Sequence, residues 1–128
     1  MRVFVFSRTT RSSLACVTGG ALLAGASGIF PLLWPLVFVG PSLFIHVIFF
    51  SGGTLSPRRI FFLGAFFGLI LYIFAYGPLW DTYPLSWAGI EGSMMSRAYL
   101  TAIWITGSLV AALPWGIAAI LLRALAVR

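Results

Sequence analysis

The sequence predicts an all-α, polytopic membrane protein with about four transmembrane helices and both termini in the cytoplasm. Of its 128 residues, 61% are hydrophobic and only 8% are charged, whereas soluble domains carry roughly 25% charged residues. A domain of this size leaves much of its surface exposed, and so few charges cannot make that surface polar. The charges also stand at the ends of long apolar runs, which is typical of membrane helices. We therefore expect residues 1–128 to form a single transmembrane domain.

The first charge-free run is too long for one crossing. It covers 45 residues, Ser12 to Ser56, and as one helix it would measure about 67 Å against a hydrocarbon core of roughly 30 Å. Pro31 and Pro35 interrupt it, because proline lacks a backbone N–H and disfavours helix in the residue before it. The sequence therefore predicts one helix at about 14–29 and a second at about 36–50.

Glycine and proline also delimit the second half of the chain. A third helix is predicted at about 59–76, where Gly77-Pro78 ends it. A longer connection follows, and a fourth helix is predicted at about 98–122. Pro114 lies within that last helix, so we expect a kink there.

The arginines predict the orientation. All eight basic residues are arginine, and they do not cluster beyond one adjacent pair, so nucleic-acid binding is not expected. With four crossings, Arg97 stands on one side together with Asp81 and Glu91. The other side holds seven arginines: Arg2, Arg8, Arg11, Arg58, Arg59, Arg123 and Arg128. The positive-inside rule then places both termini in the cytoplasm.

Small residues recur at four-residue spacing in two of the predicted helices. In the first helix Ala21 pairs with Gly25 and Ala24 with Gly28, and in the third helix Gly64 pairs with Gly68. Such spacing lets helix backbones approach closely, so we expect these glycines to serve helix packing or a docking face for a partner. The alternative is that glycine is simply more frequent in membrane helices.

Aromatic residues mark the predicted outer side. Trp34 lies in the first hairpin turn, and the long connection carries Trp80, Tyr83 and Trp87 with Asp81 among them. Rings of this kind settle at headgroup level. We predict membrane anchoring, with a re-entrant or lid-like element near the headgroups as the sharper alternative.

The sequence contains few side chains that could take part in catalysis or bind a metal. Its one histidine, His46, falls inside the second helix, far from Asp81 and Glu91, so no Ser-His-Asp relay is expected. A structural, hydrogen-bonded histidine is the simplest interpretation, and a pair with Cys16 is the alternative. Too few ligands are present for a metal, no cofactor motif occurs, and no residue is predicted to be catalytic.

The order of several motifs is distinctive. A glycine- and alanine-rich first helix leads into Phe-Pro, Trp-Pro-Leu opens the second helix, and Arg-Arg precedes a third helix that a tryptophan follows. The motifs are GGALLAGASG, Phe30-Pro31, Trp34-Pro35-Leu36, Pro41, Arg58-Arg59, LGAFFG at 63–68 and Trp80. In this order and spacing, from about Val17 to Arg123, the chain resembles the N-terminal membrane domain of bacterial apolipoprotein N-acyltransferases.

This resemblance implies a role in lipoprotein maturation at the bacterial inner membrane. Those enzymes transfer an acyl chain from phospholipid to a lipoprotein, using a Glu-Lys-Cys triad in an extramembrane nitrilase-like domain. The present sequence contains no lysine, so we expect no catalysis by this chain alone. We expect it to act with membrane phospholipid and with a separate nitrilase-like part or another membrane protein. The resemblance implies lipid contact at Trp80, Asp81 and Tyr83, and the same connection extends this expectation to Trp87.

Two other functions are compatible with the sequence. A small four-helix channel or exporter subunit would line its path with polar side chains, and the helices offer few: Ser42, His46, Thr101, Thr106 and Ser108. A structural subunit would instead bind its partner through the helix face that carries Gly64 and Gly68.

Overall fold

The described part of the protein is all-α. The computed structural model describes residues 8–29, 32, 35–51 and 55–126, which form four α-helices and two short 3-10 helices without a β-strand. The α-helices are α1 (Arg8–Ile29), α2 (Leu36–Ser51), α3 (Pro57–Ala75) and α4 (Ser93–Ala126). The predicted all-α class with four helices is therefore confirmed for these residues.

The helix ends differ from the sequence prediction mainly in α1 and α4. α1 begins at Arg8 and α4 extends over Ser93–Ala126, so both helices include arginines that the prediction left outside them. Arginine is a good helix former and lets a helix continue past its apolar segment. Before α4, Gly92 has a backbone φ of 97°, a conformation that favours glycine. At the start of α3, Ser56 accepts a hydrogen bond from the backbone N–H of Arg59 at 3.4 Å, and Pro57 occupies the first turn, as is common at helix N-termini.

The first three helices alternate in direction. α1 and α2 cross where Gly20 and Gly40 meet, so close that a Cβ at Gly40 would overlap the Gly20 carbonyl and lie 2.6 Å from the Ala24 Cβ. α1 runs parallel to α3, and a Cβ at Gly25 would lie 2.6 Å from the ring of Phe74. Close contact between helix backbones is therefore built into α1 by its small residues.

α3 and α4 form the most extensive pair and run antiparallel. A Cβ at Gly64 would overlap the Trp115 carbonyl and lie 2.7 Å from the Ala119 Cβ. One turn later, a Cβ at Gly68 would lie 2.7 Å from the Trp115 ring. Toward the other end of the pair, Tyr76 faces Gly107. The N-terminal end of α3 and the C-terminal end of α4 therefore lie together.

The core is an aromatic cluster that joins three helices. Phe44 of α2 stacks on Phe67 of α3 with 4.7 Å between the ring centroids, and both rings contact Trp115 of α4 at 5.8 and 4.8 Å. Val17 and Ala21 of α1 complete this cluster and are fully buried. Offset and edge-on aromatic pairs of this kind add about 0.5–1.5 kcal/mol each beyond the apolar area that they bury.

Two segments are long and apolar enough to cross a membrane. They are Pro57–Thr82, which includes α3, and Ser93–Ala126, which is α4. Only 28% and 17% of the residues in their most apolar windows are buried within the bundle. The remaining apolar helices, over Ser12–Ser27 and Leu36–Phe50, are shorter. Most of the apolar surface of the two long helices thus faces outward.

Two buried serines of α4 allow a matched test of polar burial. Ser96 and Ser108 are each 1% exposed. The Ser96 hydroxyl donates to the Ile90 carbonyl at 3.4 Å, whereas the Ser108 hydroxyl has no hydrogen-bond partner among the described residues. A buried hydroxyl without a partner costs roughly 1–3 kcal/mol of desolvation. We therefore expect Ser108→Ala to raise the free energy of unfolding by about 1 kcal/mol.

The corresponding change at Ser96 provides the control. Ser96→Ala removes a hydrogen bond that ties α4 to the chain before it, so we expect a loss of about 0.5–1 kcal/mol. Reversible unfolding in mixed detergent measures both values. Destabilisation of similar size in both variants would show that the Ser108 hydroxyl is satisfied.

Candidate functional site

A compact element connects α3 to α4, and we call it the aromatic cap. It spans residues 77–88 and contains two 3-10 helices, Gly77–Thr82 and Leu85–Ala88. Gly77 and Pro78 end α3, since proline cannot continue the helical hydrogen bonding. The second 3-10 helix ends at Gly89 with a backbone φ of 76°, which favours glycine. Glycine and proline residues therefore mark both ends of the aromatic cap.

Hydrogen bonds within the chain hold the aromatic cap together. The Thr82 hydroxyl donates to the Leu79 carbonyl at 2.6 Å, and the Trp87 indole N–H donates to the Thr82 carbonyl at 3.3 Å. Leu85 is buried beneath the second 3-10 helix, and the Ile90 N–H donates to its carbonyl at 3.2 Å. These bonds give the connection a defined shape.

The predicted lipid-contact residues all belong to the aromatic cap. Trp87 is 74% exposed, Trp80 is 38% exposed, and Asp81 is exposed beside it. Tyr83 is half-buried, and the Arg97 guanidinium of α4 lies 5.6 Å from the centroid of its ring. The structure thus brings Tyr83 together with the lone arginine of this end, while the ring of Trp87 projects outward.

Arg97 is a site residue that the sequence analysis assigned to no role. Its signal was its isolation, since it is the one arginine predicted on the outer side. A cation over an aromatic face gains roughly 0.5–1 kcal/mol at an exposed position. Arg97 therefore gives the cap a fixed positive group, and Asp81 and Glu91 supply exposed carboxylates.

Trp104 provides a second contact that the sequence analysis missed. Its indole N–H donates to the Ile73 carbonyl at 3.0 Å. Ile73 lies in the last turn of α3, where carbonyls have no partner within the helix. Trp104 of α4 thus supplies a donor for one of the last carbonyl groups of α3. This hydrogen bond joins the two helices next to the aromatic cap. Sequence spacing cannot reveal a bond between residues 31 positions apart.

The charged ends of the bundle differ. Arg58 and Arg59 lie in the first turn of α3, and Arg123 lies beside them in the last turn of α4, because Gly116 packs on Phe61 and the two helices are antiparallel. The first turn of α1 begins at this end too, since α1 runs parallel to α3. Both acidic residues of the sequence follow α3 and precede α4, at the end of the aromatic cap. The bundle therefore has one arginine-rich end and one end of mixed charge.

The predicted packing glycines lie at different helix pairs. Gly25 faces Phe74, and Gly64 and Gly68 face α4. The surroundings of Gly28 and the whole of Trp34 lie outside the described residues.

Of the polar side chains considered for a channel, Ser42 and His46 line one open groove on α2. Ser42 donates to the Phe38 carbonyl at 2.7 Å and Thr101 to the Arg97 carbonyl at 2.8 Å, each within its own helix. Thr106 is exposed and Ser108 is buried. His46 is exposed on α2, where its ring lies 4.3 Å from that of Phe50.

Cys16 of α1 is half-buried. It is a free cysteine that packs against the core cluster. Within the described ranges, no three histidine, cysteine or acidic residues lie close enough to share a metal ion.

No protein-family model, characterised protein or solved structure matches this chain. Its function is therefore inferred from its residues and from the geometry of the bundle and the aromatic cap.

Proposed function

We propose that the chain is a bacterial inner-membrane module that crosses the bilayer four times and holds phospholipid at its aromatic cap. Its arginine-rich end, with both termini, lies in the cytoplasm, and the aromatic cap lies at the outer headgroups. In this role it serves acyl transfer to lipoproteins, as the membrane domain of apolipoprotein N-acyltransferases does. The reacting groups come from a separate catalytic part, because this sequence has no lysine for the family's triad.

The outward apolar surface of α3 and α4 supports the membrane placement. The core helix of a soluble protein would be mostly buried, whereas these helices are buried over only 28% and 17% of their most apolar windows. An apolar surface of this extent in water would cause aggregation. In a bilayer the same surface contacts acyl chains. The 19 residues of α3 measure about 28 Å, close to the hydrocarbon thickness of roughly 30 Å.

The distribution of charge supports the orientation. Arg58, Arg59 and Arg123 lie at one end of the α3–α4 pair, and the first turn of α1 brings Arg8 and Arg11 to that end. Among the arginines that the structure describes, Arg97 alone lies at the end of the aromatic cap. Positively charged residues of short loops remain in the cytoplasm.

The aromatic cap carries the proposal of lipid contact. Its exposed Trp80 and Trp87 are suited to the depth of the headgroups, where one side of a ring meets hydrocarbon and the other meets water. Arg97 offers donors for a phosphate and Asp81 offers an acceptor for an amine. A phosphoethanolamine headgroup carries both of these partners, so we take phosphatidylethanolamine as the lipid held here.

Photo-crosslinking tests this site in the intact chain. The purified protein is placed in nanodiscs that contain phosphatidylethanolamine with a diazirine near its headgroup. We expect adducts within residues 77–97, and Trp80→Ala with Trp87→Ala should lower their yield about thirtyfold, because each of the two rings contributes roughly 1 kcal/mol. Phe50 lies at the arginine-rich end and is 78% exposed, close to the 74% of Trp87, so Phe50→Ala should leave the adducts unchanged.

The outcome against the proposal is equally specific. Adducts spread evenly along the outward faces of α3 and α4, or an unchanged yield in the double tryptophan variant, would exclude a lipid site at the aromatic cap. Turnover of phospholipid and a diacylated lipopeptide by the chain alone would exclude a separate catalytic part.

A further inference from the structure

A second apolar feature lies at the arginine-rich end, away from the aromatic cap. It is an open groove of about 540 Å³ between α3 and its neighbours α1 and α4, and we call it the α3 groove. Almost all of its lining is apolar. The side chains that define it are Leu14 of α1, Phe62, Phe66 and Leu69 of α3, and Leu109 and Leu113 of α4.

The length and position of the α3 groove match one leaflet of a bilayer. It extends along α3 from Arg59 to Leu69, which is about 15 Å at 1.5 Å per residue. Half of a hydrocarbon core of roughly 30 Å is the same length. The groove thus begins at the arginine-rich end of the helix and stops near the middle of the bundle.

Positive charge lies where the α3 groove meets the arginine-rich end of the bundle. Arg59 is exposed and lines it, and the Arg58 guanidinium lies 5.9 Å from the ring centroid of Phe62, another lining residue. The only two acidic residues of the sequence, Asp81 and Glu91, belong to the opposite end. Among the described residues, no aspartate or glutamate therefore lies at this end to neutralise these two guanidinium groups.

We infer that the α3 groove binds an anionic phospholipid of the cytoplasmic leaflet, with one acyl chain along Phe62 and Phe66 and the phosphate on Arg59. An apolar groove as long as one leaflet fits an acyl chain, and arginine forms strong paired hydrogen bonds with phosphate oxygens. Basic positions on the cytoplasmic side of membrane helices attract anionic lipids. This inference rests on the membrane placement proposed above but not on lipid binding at the aromatic cap.

Native mass spectrometry of the full chain tests the inference. The protein is purified in detergent and mixed with phosphatidylglycerol or phosphatidylcholine with the same acyl chains. We expect one tightly held phosphatidylglycerol, bound about tenfold more strongly than phosphatidylcholine. Arg59→Gln should reduce this preference roughly tenfold, and Arg59→Lys should reduce it less, because the charge remains but the paired hydrogen bonds to phosphate are lost.

Two further variants separate the groove from the surface in general. Ala65 lines the groove, so Ala65→Phe should displace the acyl chain and lower retention of phosphatidylglycerol at least tenfold. Ala102→Phe makes the same substitution at an exposed position of α4 outside the groove and should have no effect. Soluble glycerol phosphate should not compete, since the acyl chain provides much of the contact.

Several results would overturn the inference. Equal retention of the two lipids, an unchanged preference in Arg59→Gln, or effective competition by glycerol phosphate would each exclude it. Headgroup cross-linking at the aromatic cap should be the same in Arg59→Gln and the unmodified chain. If cross-linking there fails while phosphatidylglycerol is still held, the proposed function falls and the α3 groove site stands.

Discussion

Adding a single methyl group at Gly64 is expected to destabilise the bundle by about 2 kcal/mol. A Cβ at this position would overlap the carbonyl oxygen of Trp115 and lie 2.7 Å from the Ala119 Cβ. The first of these atoms belongs to the backbone of α4, so no change of side-chain rotamer can relieve the overlap. The two helices must move apart, and overpacking of this kind costs typically 1–3 kcal/mol.

Gly19 offers a matched control for Gly64→Ala. Both residues lie within helices, but a Cβ at Gly19 would meet nothing within 4 Å. Alanine is a better helix former than glycine by roughly 0.8–1 kcal/mol, so Gly19→Ala should stabilise the protein or leave it unchanged. Detergent unfolding of both variants measures the difference. Equal effects would show that α3 and α4 do not pack through Gly64.

The packing of α3 on α4 could be predicted only in part from the spacing of residues in the sequence. The separation of Gly64 and Gly68 predicts a face that permits close packing, and in the structure this face meets α4. The spacing does not say which helix occupies it, because every other helix also carries small residues. The partner is decided by the aromatic cluster, in which Trp115 packs on Phe67, and such a contact depends on three-dimensional packing.

For the aromatic cap, the residue types could be predicted from the sequence, but the contacts that shape it could not. Its tryptophans are visible in the sequence as residues suited to a membrane interface. The bonds that shape it are not, since the Trp87 indole and the Ser96 hydroxyl each donate to a backbone carbonyl. Carbonyl oxygens are present at every residue and leave no pattern in the sequence. The position of Arg97 over Tyr83 likewise follows only when α4 begins at Ser93.

If α4 crosses the bilayer, a charge placed at the centre of this helix should have the largest effect of any substitution proposed here. Val110 lies near the midpoint of this 34-residue helix and is 61% exposed. On the surface of a soluble protein, Val110→Arg would change stability by no more than about 0.5 kcal/mol. In a bilayer, arginine at the centre of a helix costs roughly 2.5–3.5 kcal/mol for insertion. We therefore expect insertion of α4 to fall about a hundredfold.

Cysteine labelling in cells detects a failure of α4 to insert, because residue 124 lies in the cytoplasm only when α4 crosses the bilayer. In a Cys16→Ser background, Ala124→Cys provides one exposed thiol near the end of α4. An impermeant maleimide should label it from outside only when Val110→Arg is present. Met94→Arg is the control, since Met94 is 87% exposed in the first turn of α4, close to Arg97, and should leave labelling unchanged. Insertion unaffected by Val110→Arg would contradict the membrane placement, because only a hydrocarbon environment makes this exposed position intolerant of charge.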